Sequence, residues 1–152
     1  MEQRVSLITL GVSNLERAQD FYRQLGWQGQ EVEETVFFQT GGSALVLWGR
    51  DKLARDCGLP DEVAGSEPHG FSGVVLAHNA RSAADVDEIM AAAERAGATI
   101  TRPATATFYG GYAGIFADPE GHYWEIAYNP GFPLAADGTI TIPNFSATGG
   151  PS

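Results

Sequence analysis

The stretch YGGYAGIFADPEGHYWEIAYNP, residues 109–130, gathers side chains that could do chemistry: Tyr109, Tyr112 and Tyr123 as hydroxyl donors, Glu125 as a carboxylate and His122 as an imidazole. Glu125 is the residue on which the reading turns. A carboxylate in apolar surroundings must be paired, hydrated or protonated, because an unpartnered buried charge costs several kcal/mol. A carboxyl with a raised pKa would serve as a general acid or base, with Tyr123 or Tyr112 as the hydrogen-bond donor. A carboxylate kept ionised would serve as the counter-ion of a cationic ligand. Lys52 and Arg55 are the cations that the first half offers as partners for it. The three histidines, His69, His78 and His122, have no spacing that sets two ring nitrogens on one ion. The single Cys57 lies in no nucleophile motif and has no disulfide partner within the chain.

These groups must be positioned by ordered elements, and the sequence describes them twice. Residues 4–12, RVSLITLGV, read as a strand, followed by Ser13 and Glu16 in capping-box spacing. Leu15, Ala18, Phe21, Tyr22 and Leu25 then fall on one helical face that ends at Gly26. Strands are expected over 29–39 and 43–49, joined at Gly41-Gly42. The second copy opens with a strand over 71–78 and a helix begun by Ser82 with Asp85. That helix carries Val86, Ile89, Met90 and Ala93 on its apolar face and stops at Gly97. Strands at 98–104, 112–117 and 122–128 follow, the last two joined by the turn Asp118-Pro119-Glu120-Gly121. Residues 1–50 and 71–129 are thus two like modules. Residues 51–70 form a linker with a helical turn near Lys52–Cys57, and 130–152 form an extended tail. The expectation is one α+β domain with mostly antiparallel sheet.

Nineteen acids against nine bases give a formal charge of -10, which disfavours nucleic acid and anionic lipid as partners. The opening MEQRVSLITL lacks a basic region followed by an apolar run of signal length, and no segment is apolar enough to span a membrane. With a lone cysteine, the expected location is the reducing cytoplasm.

The opening LITLGVSNLERAQDFYRQLGW and the closing FADPEGHYWEIA, set in two βαβββ modules, resemble the glyoxalase/bleomycin-resistance/extradiol-dioxygenase superfamily, also called the vicinal oxygen chelate fold. The resemblance covers residues 4 to about 129. It implies two sheets curled around a cavity, a homodimer, and in the enzymes of the family one divalent ion held by four strand positions. Carried over singly, those positions fall on Leu7, Val46, Gly73 and Glu125. Only Glu125 offers a donor, so no metal site and no cofactor are expected. The family also holds proteins that bind an antibiotic without altering it.

Alternation then assigns the cavity lining: Leu7 and Thr9 on the first strand, Val46 and Trp48 on the fourth, Gly73 and Val75 on the fifth, Tyr123 and Glu125 on the last. Phe38, Tyr109 and Tyr112 are added near the entrance, and His69 would fold over the mouth. Apolar and aromatic walls with one carboxylate suit a small aromatic or cationic ligand. The leading expectation is a sequestering protein. A metal-free lyase or isomerase using Glu125 and Tyr123 is the alternative, with a metal-dependent glyoxalase or dioxygenase behind it.

Overall fold

The computed structural model describes residues 1, 3, 5–64 and 71–148. Strand β1 (Leu7–Val12) leads into helix α1 (Leu15–Gln24), then β2 (Gly29–Val32), β3 (Thr35–Thr40) and β4 (Ser43–Gly49). Two short helices, α2 (Arg50–Asp56) and α3 (Asp61–Ala64), connect to the second module. There β5 (Val75–Asn79), α4 (Ala83–Arg95), β6 (Thr99–Ala106), β7 (Tyr112–Ala117) and β8 (Tyr123–Tyr128) repeat the order. Each module folds into one four-stranded mixed sheet, β1-β4-β3-β2 and β5-β8-β7-β6. The first and last strands of each module pair in parallel and the other neighbours antiparallel. The α+β class expected from the sequence therefore holds, with sheets that do not close. Among the described residues no helix is long and apolar enough to cross a membrane.

The local chemistry departs from the sequence reading at two points. Residues 29–39 are not one strand, because Glu33 and Glu34 take positive φ values of 48° and 60° and break the run into β2 and β3. Nothing in the local pattern of two glutamates demands that turn. Helix α1 is capped by Asn14 rather than Ser13: its Oδ1 accepts the Arg17 N–H at 2.9 Å. The second cap is Ser82 as expected, accepting the Asp85 N–H at 3.1 Å.

Both helices bury an i, i+3/i+4 stripe, Ala18, Phe21 and Tyr22 on α1 and Val86, Met90 and Ala93 on α4. These stripes join the alternate residues of both sheets, among them Leu10, Val36, Phe38, Leu47, Phe116, Trp124 and Ile126, in a single core cluster. Each sheet thus turns one face to the helices and the shared core. Among the described residues the opposite face carries no helix and exposes Leu7, Phe37 and Val75, while Val46, Ala113 and Ala127 on it are buried.

The modules are also fastened by the β7–β8 turn. Asp118, buried, accepts the Tyr22 hydroxyl at 2.6 Å and the backbone N–H groups of Glu120 and His122. Burial and the Asp118 carboxylate push the Tyr22 phenol far above its ordinary range, so it stays a donor. Glu120 accepts from the N–H groups of Ser13 and Asn14, the Ser13 hydroxyl and Arg17, covering the N-terminus of α1. The His122 ring lies 2.9 Å from the Gly11 carbonyl. Burial raises the Glu120 pKa, but those donors outweigh it and hold the carboxyl below its usual value.

Candidate functional site on the open sheet faces

Strand alternation sorts the candidate residues between the two faces. On the first sheet, Thr9 pairs with Val46 and Val46 with Phe37, forming one row across the open face. Leu7 opens β1 beside Ala44 and is 55% exposed, and Phe37 is 37% exposed. Trp48 lies beside Gly11, two positions along β4 and half-buried. Phe38 belongs to the opposite face: it is 1% exposed and packs on Tyr22 and Trp27, so it is a core residue and not a ligand contact. Its neighbour Phe37 presents the open ring instead. The sequence runs TVFFQT, where two adjacent phenylalanines conceal the parity until the register is known.

On the second sheet the corresponding row is Ala77, Glu125, Ile115 and Arg102, taken strand by strand. Arg102 reaches over Ile115, and its Nη2 lies 3.7 Å from Glu125 Oε2. This half-exposed ion pair gives the carboxylate a partner other than the expected candidates. Lys52 pairs with Glu34, and Arg55 with Asp51 and Asp61 at 3.1 and 3.0 Å. One signal in the sequence pointed to it, since Arg102 is the only Lys or Arg after Arg95. Pro103 follows it on the edge strand β6, where a missing N–H is tolerated, and the register shifts on either side.

Tyr123 stands on the same face and meets Phe71 edge to face at 5.6 Å between ring centres. Val75 begins β5 and is 45% exposed. It holds the place of Leu7: each lies seven residues before its helix cap, Asn14 or Ser82. Gly73 precedes the strand with φ +83°, so the carried-over position belongs to Val75, which also lacks a donor. Tyr112 turns toward the helices, its hydroxyl donating to Asp87 Oδ1 at 2.8 Å, and that hydrogen bond raises its pKa. It is therefore withdrawn from the open face. Tyr109 folds over Gly111 at the β6–β7 turn, where an added Cβ would lie 2.5 Å from its ring. His69 lies outside the described residues.

The donor set does not fit a divalent ion. Leu7, Val46 and Val75 or Gly73 are apolar or bare, and Glu125 is engaged with Arg102. No group of three His, Cys, Asp or Glu residues that could hold a metal occurs among the described residues. Among the described residues, the best-formed cavities are lined by none of Leu7, Thr9, Val46, Trp48, Tyr123 or Glu125. The residues expected to line the ligand cavity lie on two different sheets, Leu7, Thr9, Val46 and Trp48 on one and Val75, Tyr123 and Glu125 on the other.

With this geometry established, comparison with known proteins gives the family. The sequence matches the Glyoxalase/Bleomycin resistance protein/Dioxygenase superfamily over residues 4–126, and the chain belongs to that superfamily. Among solved structures it is similar to a glyoxalase-related enzyme from Fulvimarina pelagi, with 36% identity and a TM-score of 0.84 over 94% of this chain and 100% of that one. It also resembles a family enzyme from Burkholderia phytofirmans (22% identity, TM-score 0.70, 81% and 96% covered). A lactoylglutathione lyase from Agrobacterium tumefaciens gives 21% identity and a TM-score of 0.62, with 84% and 95% covered. At those identities the last two show the fold alone. Among curated proteins none matches.

Proposed function

We propose that the chain is a small-molecule-binding protein that works without a catalytic metal, holding its ligand between the open face of one sheet and that of a second copy. The Arg102–Glu125 pair carries this reading: two opposite charges meet at 3.7 Å on a face otherwise built from Ala77, Ile115 and Tyr123. The guanidinium offsets the carboxylate, so the motive for a purely cationic ligand disappears. A planar ligand bearing both an acceptor and a donor suits the pair better, with its ring against Tyr123 and Phe71.

The dimer is supported by the exposed apolar residues at the two strand starts, Leu7, Val75, Val74 and Phe71, and by Phe37. Exposed apolar residues on and beside an open sheet face mark a surface that another chain covers. A second copy would supply the opposite wall of a cavity that one chain leaves unbuilt. The ligand is held and released unaltered, as in a sequestering protein.

Native mass spectrometry of the freshly purified protein tests this directly. The expected result is a dimer carrying organic mass, which denaturation releases unchanged. Arg102→Met and Glu125→Gln should each lower ligand occupancy about tenfold, the loss of one charged hydrogen-bonding partner. A monomer, a chelatable metal ion in each subunit, or recovery of a chemically altered ligand would overturn the proposal.

A further inference from the structure

A separate cavity of about 290 Å³ lies on the helix side, between the modules and away from both open faces. Nine residues line it, and none is Asp, Glu, Lys or Arg. Trp27 and Trp124 stand edge to face at 5.8 Å, with Phe116 and Tyr22 completing an aromatic wall. The polar atoms of that wall are already satisfied. Trp124 Nε1 donates to the Tyr22 hydroxyl at 3.1 Å, and that hydroxyl donates to Asp118.

His78 is the exception. Its ring lines the cavity and makes no hydrogen bond among the described residues, although the residue lies exposed on the edge strand β5; partial desolvation lowers its pKa. The repeat shows what stands here in the other module. Leu10 and His78 each lie four residues before a helix cap, and Leu10 is 6% exposed in the core. Where the first module buries an isobutyl group, the second sets an exposed imidazole at the rim of a cavity.

Apolar cavities of about 150 Å³ already accept a single benzene ring. We propose that the cavity bounded by Trp27, His78, Ile89, Ala92, Phe116 and Trp124 is a second ligand site, taking a neutral aromatic of one or two rings with one hydroxyl bonded to the His78 ring. The absence of charged lining rejects carboxylates and amines by desolvation. The aromatic wall favours a flat ring system.

The test is a calorimetric titration with 2-naphthol, using naphthalene as the ligand without a hydroxyl. The proposal expects one saturable naphthol site per chain. Ala92→Trp, which fills the cavity from a half-buried helix position, should weaken naphthol at least tenfold. His78→Leu should weaken naphthol about fivefold to tenfold and leave naphthalene unchanged. Glu125→Gln, on the open face, should not alter naphthol affinity, which separates this site from the one proposed above. Should Ala92→Trp fail to fold, naphthol-induced shifts of the His78 ring and Ala92 methyl resonances in the unmodified protein decide the question. Absence of saturable binding to about millimolar naphthol, insensitivity to Ala92→Trp, resonances that do not move, or loss of binding in Glu125→Gln would each overturn the assignment.

Discussion

The two hairpins at matched places in the repeat, β3–β4 and β7–β8, behave differently. The first closes on itself: Gln39 Nε2 donates to the carbonyls of Gly41 and Ser43, and Thr40 meets the Ser43 hydroxyl. The second reaches into the other module through Asp118, Glu120 and His122. On the side of the first hairpin, Thr40 shares a cavity of about 630 Å³ with Arg81 and with Leu134 and Ile140 of the tail. There Arg81 donates to the carbonyls of Ala135 and Ala136, so a strap of tail stands where a clamp could have been. Repetition of a fold does not repeat its joinery. A few polar side chains at one turn make the difference.

Asp118→Ala should be the most damaging change, since it strips a buried acceptor from Tyr22 and from two backbone N–H groups. A loss of about 3 kcal/mol is expected, a fall in Tm of roughly 6–12 °C by thermal unfolding. An unchanged Tm would mean that the turn fastens nothing. Glu120→Gln should cost about 1 kcal/mol by weakening the cap on α1.

Glu120 also makes the second hairpin's hold on α1 depend on pH. Its folded pKa is depressed, so the unfolded chain binds the proton more readily. Its stabilisation is full above the ordinary value of 4.5 and is lost as pH falls below that. Chemical denaturation at pH 7 and pH 3 should show a smaller difference for Glu120→Gln than for the parent chain. If the slopes match, another group carries the acid sensitivity. Arg102→Met should change stability by roughly 0.5 kcal/mol, as expected for a half-exposed pair. Gly42→Ala, at a turn with nothing within 4 Å of the added carbon, should be neutral within about 0.5 kcal/mol by the same unfolding assay.

How far the sequence could be read follows from the range of each interaction. Helices α1 and α4 were legible because apolar spacing and the glycine stops Gly26 and Gly97 act within a few residues. The family resemblance rested on similar local runs, and the matched residues 4–126 bear it out. Ser13 was misread as the cap because Glu120, the group that engages it, is 107 residues away. Phe38 and Tyr112 were expected near the cavity entrance, because the sequence does not show which parity of a strand faces the core. Glu125 was expected to be paired, hydrated or protonated, and its ion-pair partner Arg102 lay two strands away in a strand with broken register.

The cap on α1 has a consequence in time. During synthesis the first turn of that helix emerges 107 residues ahead of the carboxylate that covers it. At about 5–20 residues per second, the helix start waits roughly 5–20 s for its cover. The earlier half of the repeat is therefore finished by the later half, and the order of completion runs against the order of the chain.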